Sequence, residues 1–230
     1  LSTVFTAEGD LENWQAGGEA TMGGAAFLTL SGTSDDSQIA LDIRAIPAAA
    51  NLPADLTARL GGPLVLHVDA DIANQRRSDI VFTLSGDGID MRASGRANLQ
   101  SRRLLGEWPV TARIEALSRF VGMEQLQAQS VAFDGAARFD SNNIALTGAL
   151  TGDDLTYEAY ATKNLVAQLD GELKGRQLAF NLQTTASGLD TGNARVKATL
   201  GETARLAARG HADLDARKVT FQTFALDGAG

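Results

Sequence analysis

Cysteine is absent from the 230 residues, proline occurs four times, histidine twice, and aromatic side chains make up only 6%. Without cysteine there are no disulfides, zinc–thiolate sites or thiol nucleophiles, although an oxidising compartment stays compatible. Two isolated histidines make a poor ligand set for a metal. Twenty Lys and Arg against 28 Asp and Glu leave a formal charge of -8, the opposite of a nucleic-acid binder's basic footprint. No apolar run approaches the ~18 residues of a membrane helix. The longest uncharged apolar-rich stretch, 46–52, is short and interrupted by proline. No leader precedes strand-like Val4 and Phe5, and both ends are expected to be cuts from a longer protein that holds any targeting or anchoring segment.

What the chain does have is alternation. Leu165, Ala167, Leu169, Gly171 and Leu173 are separated by Val166, Gln168, Asp170 and Glu172. Leu178, Phe180 and Leu182 alternate with Ala179 and Asn181, and Ala204, Leu206, Ala208, Gly210 and Ala212 with Arg205, Ala207, Arg209 and His211. Side chains point to opposite faces along a strand, so this rhythm predicts a sheet with one oily and one wet face. Strands are expected at 4–11, 18–30, 38–45, 64–72, 80–85, 89–99 and 108–116. They continue at 131–139, 144–150, 165–173, 178–186, 194–200, 204–214 and 219–226. Turns are expected at Ser34-Asp35-Asp36, Gly86-Asp87-Gly88, Ser141-Asn142-Asn143 and Thr151-Gly152-Asp153-Asp154, whose residues tolerate left-handed backbone or bond their own main chain.

Two segments break the rhythm. Pro53 at the start, Asp55 in the first turn and Gly61-Gly62-Pro63 as a stop predict a short helix over 53–60. Leu117, Phe120, Val121 and Leu126 suggest a second over 117–126. The fold class expected is all-β: an elongated, curved, repeating sheet (a β-groove) with an apolar interior and these two helical breaks. The whole chain reads as part of one such domain, with sub-units 1–52, 64–116 and 128–230 set apart by the helical segments. A weak repeat of the form L-x-G-x-L-x-G recurs at Leu146 to Gly152 and Leu169 to Gly175. Its glycines are expected to remove bulk where facing walls approach or the sheet bends.

No compact catalytic grouping stands out, so no enzyme activity, no cofactor and no metal are expected. His67, Asp69 and Asp71 share one strand face at alternate positions, which permits a loose cation contact, but solvated alternation predicts them equally well. Asp35-Asp36 and Asp153-Asp154 lack the spaced oxygen ligands of a calcium loop. Function is sought instead along the apolar line. In the first half this comprises Ile39, Leu41, Ile43, Leu64, Leu66, Val68, Ile80, Phe82, Leu84, Ile89 and Met91, followed by Val110 and Ile114. In the second half it comprises Val131, Phe133, Ile144, Leu146, Leu165, Leu169, Phe180, Leu182, Val196, Leu200, Leu206, Leu214 and Phe221. Either these residues interlock in a dry core, as in a structural or adhesive β repeat, or they line a furrow for a hydrocarbon chain. A third reading is a chaperone that offers an open sheet edge to unfolded strands.

The stretch from Leu150 to Leu173, Leu60-Gly-Gly-Pro63, the Ala93-Ser94-Gly95-Arg96-Ala97 run and the Leu117 to Gly122 break after Trp108 together resemble the TamB translocation and assembly module proteins. The likeness is shared with the broader AsmA-type group. It implies a periplasmic segment of a Gram-negative envelope protein anchored in the inner membrane by an N-terminal helix outside this sequence. It also implies a hydrophobic groove for phospholipid acyl chains moving between the membranes. A further implication is a part in outer-membrane protein and autotransporter assembly, with a TamA-type barrel as partner through regions not contained here.

Overall fold

A computed structural model describes residues 1–228 except 11, 75, 116, 122–124, 141–142 and 217, and leaves undescribed the side chains of residues 121, 194, 197 and 200. The chain divides into two units, Leu1–Trp108 and Pro109–Gly230.

In the first unit, consecutive strands pair antiparallel in chain order: β1 Ser2–Gly9, β2 Trp14–Met22, β3 Ala25–Asp35, β4 Gln38–Ala45, β5 Leu64–Asp71, β6 Ser78–Gly86 and β7 Ile89–Asn98. A three-residue strand, β8 Arg103–Leu105, folds back on β7. Between β4 and β5 lie a single 3₁₀ turn, Pro47–Ala49, and helix α1 Ala54–Leu60. Pro53 takes the N-cap position of α1, and Gly61, at φ 67, closes its last turn.

The second unit takes in most of β9 Glu107–Glu115, then α2 Leu117–Val121, β10 Leu126–Gln127, β11 Ser130–Asp140, β12 Asn143–Tyr157, β13 Tyr160–Lys174 and β14 Gln177–Ser187. Helix α3 Ala194–Leu200, β15 Thr203–Asp213 and β16 Lys218–Gly228 complete it. Its sheet runs β9-β11-β12-β13-β14-β15-β16, with β10 paired to β12. Among the described residues β1 pairs only with β2 and β16 only with β15, so each unit is an open antiparallel sheet. The all-β expectation holds.

Four expected elements differ. The run 18–30 is two strands, because Gly23 and Gly24 take φ of 61 and 86 and turn the chain back. At 151–154 there is no turn. Asp154 adopts φ 47 inside β12, and pairing resumes at Leu155 opposite Thr162, so the hairpin closes instead between Tyr157 and Tyr160. The segment 194–200 is the helix α3, which removes Val196 and Leu200 from the strand on which alternation had put them. The Asn193 side-chain oxygen accepts the main-chain N–H groups of Arg195 (2.9 Å) and Val196 (3.4 Å), and Gly201 at φ 68 ends the run. A seven-residue apolar–polar run fits either period, and the asparagine cap decides for helix. The second expected break shortens to α2 and the two-residue β10, with 122–124 outside the described residues. In the expected turn at Ser141-Asn142-Asn143 the first two residues lie outside them as well.

Candidate functional site

The ladders align the alternating residues of each unit on one face. In the second unit, Ala137, Leu146, Gly171, Phe180, Gly210 and Phe221 lie opposite one another on the six strands from β11 to β16. Parallel rows are Phe139, Ile144, Leu173, Leu178, Ala212 and Val219 on one side, and Gly135, Gly148, Leu169, Leu182, Ala208 and Phe224 on the other. Two more follow: Phe133, Leu150, Ala167, Thr184, Leu206 and Leu226, then Val131, Gly152, Leu165, Ala186, Ala204 and Gly228. In thirty positions the one polar side chain is Thr184.

The first unit repeats this arrangement. Phe5, Gly18, Leu30, Ile43, Leu66, Leu84 and Met91 form one row, and Ala7, Ala16, Gly32, Leu41, Val68, Phe82 and Ala93 the next. Trp14, Ser34, Ile39, Ala70, Ile80 and Gly95 form a third. Leu64 and Ile89 flank Gly86 at the margin of the same face.

These faces are not the interior of a sandwich. Among the described residues, the buried apolar side chains of the second unit are Val110 and four alanines, Ala137, Ala167, Ala204 and Ala208. In the first, among the described residues, they are Ala20, Pro47, Ile80, Ala97 and Trp108. A sheet-on-sheet core would bury its Leu and Phe side chains. Here most of them are only partly buried, and Met91, Ile144, Phe221, Phe224 and Leu226 are exposed, at 39–60% of their surface. Six strands by five rows span roughly 24 by 27 Å, about 650 Å².

Several glycines of these faces make room for aromatic rings. A side chain on Gly95 would begin 2.4 Å from the Trp108 indole, which lies over it and stacks on Phe82 at 5.8 Å. Phe5 covers Gly18, Trp14 approaches Gly32, and Phe133 covers Gly135 and Gly148. Phe180 reaches over Gly210 to meet Phe221 edge to face at 6.0 Å. At these positions the missing side chain admits a ring from the same sheet. The result is a face smoothed by flat aromatics.

Of the expected lining residues, Ile39 to Met91 in the first unit lie on or bordering its apolar face. Val110 and Ile114 occupy the inward parity of β9. In the second unit Val131 to Leu182, Leu206 and Phe221 do the same. Leu214 sits one residue past β15 in the turn, where its N–H donates to the Arg176 carbonyl. Val196 lies on α3, and the Leu200 side chain is outside the described residues. Sequence reading passed over Leu28, Leu30, Trp14, Phe139, Phe224 and Leu226, which share the faces by register. The strand boundaries, not the residue types, concealed Leu28 and Leu30.

The wet faces carry the charge. His67 bridges two carboxylates: its Nδ1 lies 2.7 Å from Asp42 on the neighbouring strand and its Nε2 3.0 Å from Asp69. A neutral imidazole has one N–H, so both contacts are donated only by the protonated ring. The Asp42 hydrogen bond is the main influence holding its pKa above the ordinary 6.5, and Asp69 adds to it. Asp71 is not part of this set; its carboxylate accepts the N–H of Ala73. Among the described residues no helix is long and apolar enough to cross a membrane.

Comparison of the chain with family models, with curated proteins and with solved structures gives no match.

Proposed function

We propose that the apolar faces carry hydrocarbon chains, and that the protein is a non-enzymatic envelope segment. In this reading it provides a groove for phospholipid movement between inner and outer membrane and for outer-membrane protein assembly. The observation that supports this reading is the second unit's five-row apolar face, with no large aliphatic side chain fully buried among the described residues. A methylene gains up to about 0.8 kcal/mol when fully buried, and one laid on an open face gains a part of that, so an acyl tail is held without a specific polar contact while its head group stays in water. The same scarcity of large buried side chains speaks against the dry-core repeat. The likeness to TamB-type proteins supplies the envelope setting, with a periplasmic location and a membrane anchor elsewhere in the longer protein.

The test is native mass spectrometry and lipid extraction on the purified chain produced in the envelope of a Gram-negative bacterium. Phospholipid should co-purify. It should be lost from the Leu169→Asp, Phe180→Asp, Leu206→Asp triple variant and kept by Gln183→Asp on the opposite face. Far-ultraviolet circular dichroism checks that both variants remain sheets. A folded wild-type chain free of phospholipid overturns the reading.

A further inference from the structure

We propose that the polar face of the second unit holds a binding site for a small dipolar ion, with an ammonium on an acidic wall from β13 and an oxyanion on a basic wall from β15. A hollow of about 560 Å³ opens on this face. Register sets its geometry: Asp170 stands opposite Asn181 and Asn181 opposite Arg209, while Glu172 stands opposite Ala179 and Ala179 opposite His211. Acid and base are thus two strand spacings apart, about 9–10 Å between backbones, with β14 as the floor. Ala179 is short enough to leave that floor open, and Asn181 adds both a donor and an acceptor.

The far rim is built by an irregularity. The ladder between β15 and β16 shifts between Arg209 and Gly210, leaving Gln222 as the extra residue of a bulge, and Gln222 lines the hollow. Bulges redirect a side chain that regular pairing would have placed elsewhere.

The charges across the hollow do not close on each other. Lys174 engages Glu172 at 2.9 Å. Asp170, Asn181, Arg209, His211 and Gln222 make no side-chain hydrogen bond or ion pair among the described residues. The first unit shows the contrast: on adjacent strands, Asp42 and His67 meet at 2.7 Å. A ligand carrying both charges completes what the second unit leaves apart, its oxyanion on the Arg209 fork and its cation on Asp170. The charged groups that would hold it stand on the side of these strands opposite the apolar rows, although Gly171, Phe180 and Gly210 of the central row also border the hollow. The inference therefore stands whether or not the apolar face carries lipid.

Nuclear magnetic resonance titration of the whole chain with O-phosphoethanolamine tests it, with ethanolamine and inorganic phosphate as the separate halves. Saturable shifts should centre on the amides of Asp170, Asn181 and Arg209. Because the two contacts are joined in one molecule, the dipolar probe should bind at least about tenfold more tightly than either half. Arg209→Gln and Asp170→Asn should each weaken it at least about fivefold while leaving distant resonances in place. β-Alanine, titrated alongside, distinguishes a carboxylate from a phosphate as the preferred oxyanion. Absence of saturation with both dipolar probes overturns the site, as does equal binding by the halves or unchanged affinity in both variants.

Discussion

Gly95 shows how much depends on a single missing side chain. The Trp108 ring occupies the place where a Cβ would sit, 2.4 Å away, and Trp108 is only 2% exposed. Gly95→Val should displace the indole from Phe82 and cost about 1–3 kcal/mol of stability, the usual penalty of overpacking. A lowered urea midpoint with altered tryptophan fluorescence would register it. His67 makes a prediction of a different kind. Its folded pKa is raised above the ordinary 6.5 by Asp42 and Asp69. Its contribution to stability is therefore fully present below that ordinary value and lost as pH rises through the raised one. The denaturation midpoint of the wild type should fall across this window relative to His67→Gln, in which that slope is absent. A midpoint difference between the two that is flat with pH would refute the assignment. Asp42 could not be chosen as the partner from sequence, because cross-strand register, unlike the alternation joining His67 and Asp69, is not written in one segment.

At the scale of elements, alternation was legible wherever a strand kept it over its full length. The run 38–45 reads and folds as one strand with the same limits, because Gln38 to Ala45 alternate without a glycine or an acid pair. Legibility failed where one residue outweighed a pattern. Two left-handed glycines split 18–30, and Asp154 absorbed a left-handed turn without ending β12. For α3 the deciding signal was Asn193, outside the apolar run itself. Asn193→Ala should remove the hydrogen bonds to the Arg195 and Val196 amides and cost about 0.5–2 kcal/mol. Hydrogen exchange should show protection lost first in α3, with β14 and β15 unchanged.

For each unit as a whole, the one-sided character of its sheet could be read from sequence, but what lies over the oily side could not. Periodicity gives the face of every side chain and is silent on whether a second layer covers it. That distinction came from the burial of Ala167 and Ala208 beside the exposure of Phe221 and Phe224. The same rows that make the face continuous also limit how the chain can change length. Unless a bulge absorbs it, as Gln222 is absorbed in β16, one residue added within β13 would turn every side chain beyond it to the wrong side, putting Gln168 and Asp170 among the leucines. Two added residues would restore the parity, and an addition at the Gly175 turn would leave it untouched. Inheritance of this chain should therefore tolerate insertions at its hairpin tips and, within its strands, favour those that come in pairs or that settle into a bulge as Gln222 does.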